Sequence, residues 1–247
     1  MTAPLFFVAA EQLSGAAQGS VIVLRGPEGR HAATVKRIGI GEPVLLADGL
    51  GQRADAVVES VGLGELRLRV RAIAYDPQPD PRFVLVQALT KGDRDEQAIE
   101  AATELGVDEV VPWQARRSIV VWRGERAARS LRKWESVVLA ATKQSRRARV
   151  PLVGALANQA AVMQRIEKAA LAVVLHEEAA LRLAGLDLPP SGDVVLIVGP
   201  EGGISPDELG AFVDAGAVAV RLGSNVLRSS SAGPAALAVM SAASRWR

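Results

Sequence analysis

The sequence predicts an α/β protein built in two parts, and three observations carry that prediction. Asp76-Pro77-Gln78-Pro79-Asp80-Pro81 sets three prolines at alternate positions with no apolar residue between them, the pattern of a stiff, extended linker. Before it lie short runs of β character. After it, strand-like and helix-like runs alternate, which implies a mainly parallel sheet covered on both faces. The 247-residue chain therefore divides into a small β-barrel over 1–75, a linker over 76–81 and an α/β domain over 82–247.

The barrel strands are expected at Val21–Leu24, Pro43–Ala47, Ala54–Val58 and Leu66–Val70. In the last of these, leucine and valine alternate with arginine, as in a half-buried strand with one wet face. Asp48-Gly49 and the glycines at 62 and 64 mark turns. A barrel of this size suits binding better than chemistry. In the second part, strands are expected at Phe83–Leu89, Val107–Val111, Leu171–Leu175, Val194–Val198 and Val218–Leu222. Helices are expected at Asp93–Leu105, where Ala98, Ile99, Ala102 and Leu105 share a face, and at Leu131–Thr142, Pro206–Ala215 and Pro234–Ser244.

Composition excludes several kinds of chemistry. There is no cysteine, hence no disulfide, no Cys-ligated zinc and no thiol nucleophile, a usage that fits the cytoplasm. Only His31 and His176 are histidines, so no metal site is expected. No apolar run approaches the roughly 20 residues a membrane helix needs, and the first residues lack the basic and apolar regions of a signal peptide. The net charge of +2 is unevenly spread. Between Pro112 and Val150, eleven basic residues face two acidic ones, +9 in a chain whose remainder is −7. Such a block suits phosphate-backbone binding, or forms a solvated helix face. Arginine outnumbers lysine 24 to 5.

The densest signal lies near the C-terminus. The apolar run Val194–Val198 stops at Gly199-Pro200-Glu201-Gly202-Gly203, and Ser205-Pro206-Asp207-Glu208 follows with capping-box spacing. Strand, glycine turn and helix start in that order mark the carboxyl edge of an α/β sheet, where backbone N–H groups and a helix dipole hold a ligand. Two other strands end comparably, in Leu175-His176-Glu177-Glu178 and in Leu222-Gly223-Ser224-Asn225-Val226-Leu227-Arg228-Ser229-Ser230-Ser231. Gly233-Pro234 is expected to open a helix behind the third. If the three ends are neighbours in the sheet, they form one pocket able to hold an adenosine-like group. A P-loop is poorly matched, because the glycine turn lacks that motif's lysine and Ser/Thr.

Gly199 to Gly203, then Leu222-Gly223 with Val226-Leu227-Arg228, then a small-residue helix, resembles the signature of the SPOUT-class RNA methyltransferases, and within them the RsmE family. Further blocks agree in order. They are His31 to Gly49, Lys91-Gly92 with Thr103-Glu104-Leu105-Gly106-Val107, and Gln144-Ser145-Arg146-Arg147 with Val150-Pro151. The resemblance implies a PUA-like barrel followed by a SPOUT domain with a deep trefoil knot. It also implies S-adenosylmethionine as cofactor, a homodimer, and methylation of N3 of a uridine in the 16S rRNA of the small ribosomal subunit. One departure stands out. Ser230 and Ser231 occupy positions where the family usually has glutamate and threonine, so no role for that carboxylate carries over.

On this reading the cofactor contacts are Leu175, His176, Gly199, Pro200, Glu201, Gly202, Leu222, Gly223, Ser224, Asn225, Val226, Leu227 and Arg228. Arg228 is the candidate to stabilise negative charge on the uracil oxygens, or to fix a phosphate; an ion pair is its structural alternative. Glu201 is the candidate proton acceptor, or else a loop-stabilising or capping carboxylate, with Ser230 or Ser231 orienting the base. RNA contacts are expected from His31, Lys36 and Arg37 in the barrel. Lys91, Arg94, Lys143, Arg146 and Arg147 are the candidates in the second domain, each alternatively a solvated charge. C5 methylation of uracil by the thiol route is excluded, because the chain has no cysteine. A ribose 2′-O-methyltransferase, and a non-catalytic RNA-binding or assembly factor, remain the alternatives.

Overall fold

The computed structural model describes residues 3–246, which divide into two compact units. The first comprises the chain up to Gln78 together with Thr142–Val150. Its elements are β1 (Leu5–Phe7), α1 (Ala10–Ser14), β2 (Val21–Leu24), α2 (Gly26–Arg30), β3 (Pro43–Ala47), β4 (Gln52–Gly62) and β5 (Glu65–Tyr75). The α2 helix continues as a π turn over His31–Val35. The strands form one sheet in the order β1-β3-β4-β5-β2. Only the β1–β3 pair is parallel. Alternation places Leu66, Leu68 and Val70 of β5 in the core with Phe6, Leu24, Leu46 and Val58. The expected strands are all present, and β4 and β5 are longer than their expected runs, β4 through residues such as Gln52, Arg53, Glu59 and Ser60 and β5 through the exposed stretch from Arg71 to Tyr75.

Thr142–Val150 packs with this first unit, although it begins inside a helix whose earlier residues belong to the second. Arg149 accounts for much of that attachment. Its Nε donates to the Asp76 carbonyl at 2.8 Å and its Nη2 to the Tyr75 hydroxyl at 2.7 Å, with the guanidinium 5.2 Å from the Tyr75 ring centre. The backbone adds Val150 N–H to Gly49 O at 3.0 Å and Gly51 N–H to Ala148 O at 3.3 Å.

The second unit, Pro79–Ala141 with Pro151–Arg247, holds the parallel sheet. In chain order its elements are β6 (Arg82–Ala88), α3 (Arg94–Glu104), β7 (Glu109–Trp113), α4 (Gly124–Gln144), β8 (Leu152–Val153) and α5 (Gln159–Lys168). There follow β9 (Leu171–Leu175), β10 (Leu181–Arg182), β11 (Asp193–Val198), α6 (Pro206–Asp214), β12 (Val218–Arg221) and α7 (Ser229–Ala243). The last residues of α4, from Thr142 on, belong to the first unit. All seven strands run parallel in the order β10-β12-β9-β11-β6-β7-β8. The central strands are buried along their length, as a sheet covered on both faces requires.

Two helices start earlier than the sequence suggested. The first residues of α4 are polar and lack an apolar period, but Glu, Arg and Ala have good helix propensity and extend it back to Gly124. The α7 helix begins at Ser229, with Pro234 inside it. The proline removes the donor that would meet the Ser230 carbonyl, a loss confined to the helix's second turn. The helix lies so close to β6 there that a Cβ on Gly233 would approach Leu85 Cδ1 to 3.1 Å.

Candidate active site

The expected adjacency of the three strand ends is found. β12, β9 and β11 are neighbours, and their loops enclose a cavity of about 360 Å³, the scale of a small-molecule site.

The loop after β9 supplies Leu175, His176 and Glu177. His176 N–H donates to Val220 O at 2.9 Å and so ties this loop to β12. Its Nδ1 accepts the Glu178 N–H at 3.3 Å, which leaves Nε2 as the ring's donor.

The loop after β11 is held by the capping box its sequence announced. Ser205 Oγ accepts the Glu208 N–H at 3.3 Å, while Glu208 Oε2 accepts the Ser205 N–H at 3.2 Å and its hydroxyl at 2.7 Å. Arg116 N–H adds a fourth bond, to Glu208 Oε1 at 2.7 Å, so this carboxylate, 2 % exposed, has donors on both oxygens. Gly199 must be glycine, because a Cβ there would lie 2.7 Å from Ile204 Cγ1. Glu201 reaches sideways: its Oε1 accepts the Lys91 N–H at 3.0 Å and Arg94 Nη1 at 3.2 Å. Its Oε2 has no partner among the described residues.

The loop after β12, Gly223 to Arg228, is exposed throughout. Arg228 is the N-cap of α7, and its carbonyl accepts the N–H groups of Ser231 and Ala232, both at 2.9 Å. Its guanidinium makes no hydrogen bond or ion pair among the described residues. Ser229, 8 % exposed, also lines the cavity, and its hydroxyl is buried without a partner. A buried hydroxyl left unpaired beside an open cavity marks a position for a ligand's polar atom. The α7 N-terminus adds unpaired N–H groups and the positive end of its dipole.

The cavity wall takes every residue expected there except Gly202 and Ser224. Gly202 faces away: its carbonyl accepts Arg117 Nη1 at 3.1 Å. Ser230 and Ser231 lie outside the wall, and Ser229 stands in their place. Arg94 and Arg221 are additions from outside the expected strand-end loops, while Glu177 and Ser229 lie in those loops but were not among the expected cofactor contacts. Ser229 was within reach of that reading, since it directly follows Arg228 at the mouth of a helix.

Family comparison matches residues 77–241 to an RNA methyltransferase domain and residues 24–71 to an RNA methyltransferase PUA domain. Over 233 residues the chain is 48 % identical to ribosomal RNA small subunit methyltransferase E of Mycobacterium bovis, covering 92 % of this chain and 89 % of that one. The chain belongs to the ribosomal RNA small subunit methyltransferase E family. A more distant member, from Bacillus subtilis, is 27 % identical over 88 % of each chain. Among solved structures, the Neisseria gonorrhoeae family member bound to S-adenosyl methionine superposes with a TM-score of 0.83 at 27 % identity, covering 98 % of each chain.

The RNA-contact candidates of this family member fall in two groups. His31, Lys36, Arg37, Lys143, Arg146 and Arg147 all belong to the barrel unit; Lys91 and Arg94 belong to the sheet unit. Lys36, Arg37 and Arg146 are exposed. Lys143 is paired with Glu28, and the His31 ring packs edge-on against Phe6 at 6.3 Å. Arg94 is the member of the set that reaches the cavity. Among the described residues no cluster of three or more His, Cys, Asp or Glu is placed to hold a metal ion, and no helix is long and apolar enough to cross a membrane.

Proposed function

We propose that this chain transfers a methyl group from S-adenosylmethionine to N3 of a uridine in the 16S rRNA of the small ribosomal subunit, acting in the cytoplasm as a homodimer. The deep trefoil knot implied by the family resemblance belongs to the same reading. The observation that carries it is an unpaired Arg228 beside the orphaned Ser229 hydroxyl, on the wall of a cavity built from three strand ends, two of them glycine-bearing.

The fit to the cofactor rests on that wall. Backbone groups of Leu175, Gly199, Leu222 and Leu227 suit an adenosine moiety, and the Ser229 hydroxyl and the α7 N-terminus suit its polar groups. When bound, S-adenosylmethionine supplies an electrophilic methyl on a sulfonium. The chain's part is to hold the base in line with that methyl, exclude water and manage charge and proton. The imide N–H of uracil is acidic, so N3 needs no covalent activation of the ring, and the absence of cysteine is no obstacle. As the proton leaves N3, negative charge spreads to the flanking oxygens, where the free guanidinium of Arg228 stabilises it. Glu201 Oε2 is an open carboxylate oxygen on this wall, on a side chain held in place by the bonds of Oε1 to Arg94 and the Lys91 N–H, and it takes the proton.

The test is mass spectrometry of nucleosides from small subunits incubated with the protein and S-adenosylmethionine. N3-methyluridine is expected. A 2′-O-methylated nucleoside would replace this reading with the ribose-directed alternative. No product with intact RNA binding would replace it with the non-catalytic one, for which the Ser229-Ser230-Ser231 departure is the sequence feature.

A further inference from the structure

A second cleft, about 460 Å³, opens beside the cofactor cavity, and Arg94 and Glu201 line both. Its remaining walls are Lys91, Gly92, Asp93 and Ile119. Ile119 is 70 % exposed, at the tip of the loop between β7 and α4. An exposed isoleucine is commonplace on a mobile loop. This loop is pinned. Gln114 holds it from within, donating from Nε2 to Val120 O at 2.9 Å and accepting the Trp122 N–H on Oε1 at 3.2 Å. From outside, the Arg116 N–H binds Glu208, and Arg117 Nη1 binds the Gly202 carbonyl, so the loop is fastened to the same turn that forms the cofactor cavity. The result is an apolar side chain held rigidly in water beside the site, a surface that gains free energy when a flat apolar face covers it.

The charges around it are complementary to RNA. Lys91 is exposed and its ammonium has no partner among the described residues. Arg94 uses one N–H on Glu201 and keeps the others, on a side chain 41 % exposed. Asp93 lies 3.9 Å from Lys133, which offsets its charge.

We propose that this cleft seats the target nucleotide, flipped out of its RNA, with the base stacked on Ile119, a uracil oxygen on the free N–H groups of Arg94, and a flanking phosphate on Lys91. Glu201 acts between the two chambers, fixing Arg94 toward the base with one oxygen. A base placed there lies next to the cofactor wall through the two residues the chambers share. Flipping exposes both faces and the oxygen edges of the base, which is what such a cleft reads. Arg94 and Ile119 are then binding residues for the nucleotide. The inference rests on the methyltransferase reading above.

The test uses the full chain and small subunits lacking the modification, with Ile119→Glu, Ile119→Ala and Lys91→Gln variants. Three quantities are read: kcat and KM for the subunit, and calorimetric affinity for S-adenosylmethionine. A carboxylate in place of the platform is expected to lower kcat/KM about 30-fold or more, and alanine about 5-fold, with cofactor affinity within about twofold of wild type. Lys91→Gln is expected to raise KM with kcat unchanged, as loss of uniform phosphate binding does. Ile119→Glu with kcat/KM within about threefold of wild type would overturn the cleft. So would an Ile119→Glu variant that loses cofactor binding in parallel, since Ile119 would then only prop the cofactor loop. A wild type that transfers no methyl group would remove the methyltransferase reading itself, and this inference with it. Ile119 is exposed, and a melting curve on each variant confirms that the fold is spared.

Discussion

The two ends of the parallel sheet are built from similar residue types and treat their charges in opposite ways. At the amino end, carboxylates and guanidiniums are matched. Arg82 bridges Glu109 and Asp193, both at 3.2 Å, and Arg165 adds a second contact to Glu109 at 2.7 Å. Arg245 binds Asp108 and the carbonyls of Gly106 and Pro81 while lying 3.8 Å over the Phe83 ring. At the carboxyl end, Arg228 is unpaired, Ser229 is orphaned and Glu201 has an oxygen open. Satisfied charges hold a structure together; unsatisfied ones held in place by satisfied neighbours such as Glu208 wait for a ligand. Charge content alone would not separate the two ends. Pairing does.

The largest expected effect attacks the matched end. Arg245→Ala removes the contact with Asp108, whose side chain is 3 % exposed, together with the two carbonyl bonds and the packing on Phe83, and is expected to cost about 4 kcal/mol in denaturant unfolding. Affinity for S-adenosylmethionine should persist in the folded variant. A loss below about 1 kcal/mol would mean that the edge network is ornamental.

Asp95 sharpens the comparison because it is a carboxyl at the carboxyl end of the sheet that is buried without a hydrogen-bonded cation. Burial pushes it up to about 6, partly offset by the Glu96 N–H. Between pH 3.8 and about 6 the folded chain therefore keeps a proton that the unfolded chain has lost, and stability falls as pH rises through that window. Asp95→Asn removes the dependence. Its stability relative to wild type is expected to grow by up to about 3 kcal/mol from pH 4 to pH 7 and then level off. A flat difference would show that Asp95 is not strained by burial.

Arg228→Ala is expected to lower kcat/KM for methylation about 100-fold, or about 3 kcal/mol of transition-state stabilisation, with little change in melting temperature because the guanidinium holds nothing in the fold. Full turnover would return Arg228 to the surface charges.

Legibility in the sequence followed the range of the interactions. The barrel strands, the strand–helix alternation and the α6 capping box were readable because period and cap chemistry are local. The α5 helix was missed although Asn158 caps it, accepting the Ala161 N–H at 2.9 Å; only Val162 and Ile166 of this short helix are buried, too few for an apolar period. Membership of Thr142–Val150 in the barrel unit depends on Arg149 meeting Tyr75 and Asp76 more than seventy positions away, and no local pattern encodes that. The three strand ends of the site were legible from the breaks in their apolar runs, two of them marked by glycine and the third by His176-Glu177-Glu178. Arg94, Arg117 and Ile119 took their places around it through loop contacts of long sequence separation, which pattern reading does not reach.

The most direct test of the contrast between the two ends is calorimetric titration with S-adenosylmethionine of the wild type, an Asn225→Ala/Arg228→Ala double variant and Arg82→Ala. The account predicts binding by the wild type, at least about tenfold weaker binding by the double variant, and wild-type affinity for Arg82→Ala, whose lost ion pairs cost only about 1 kcal/mol of stability. Equal affinity in all three, or weakening by Arg82→Ala instead, would contradict the placement of the ligand at the unpaired end.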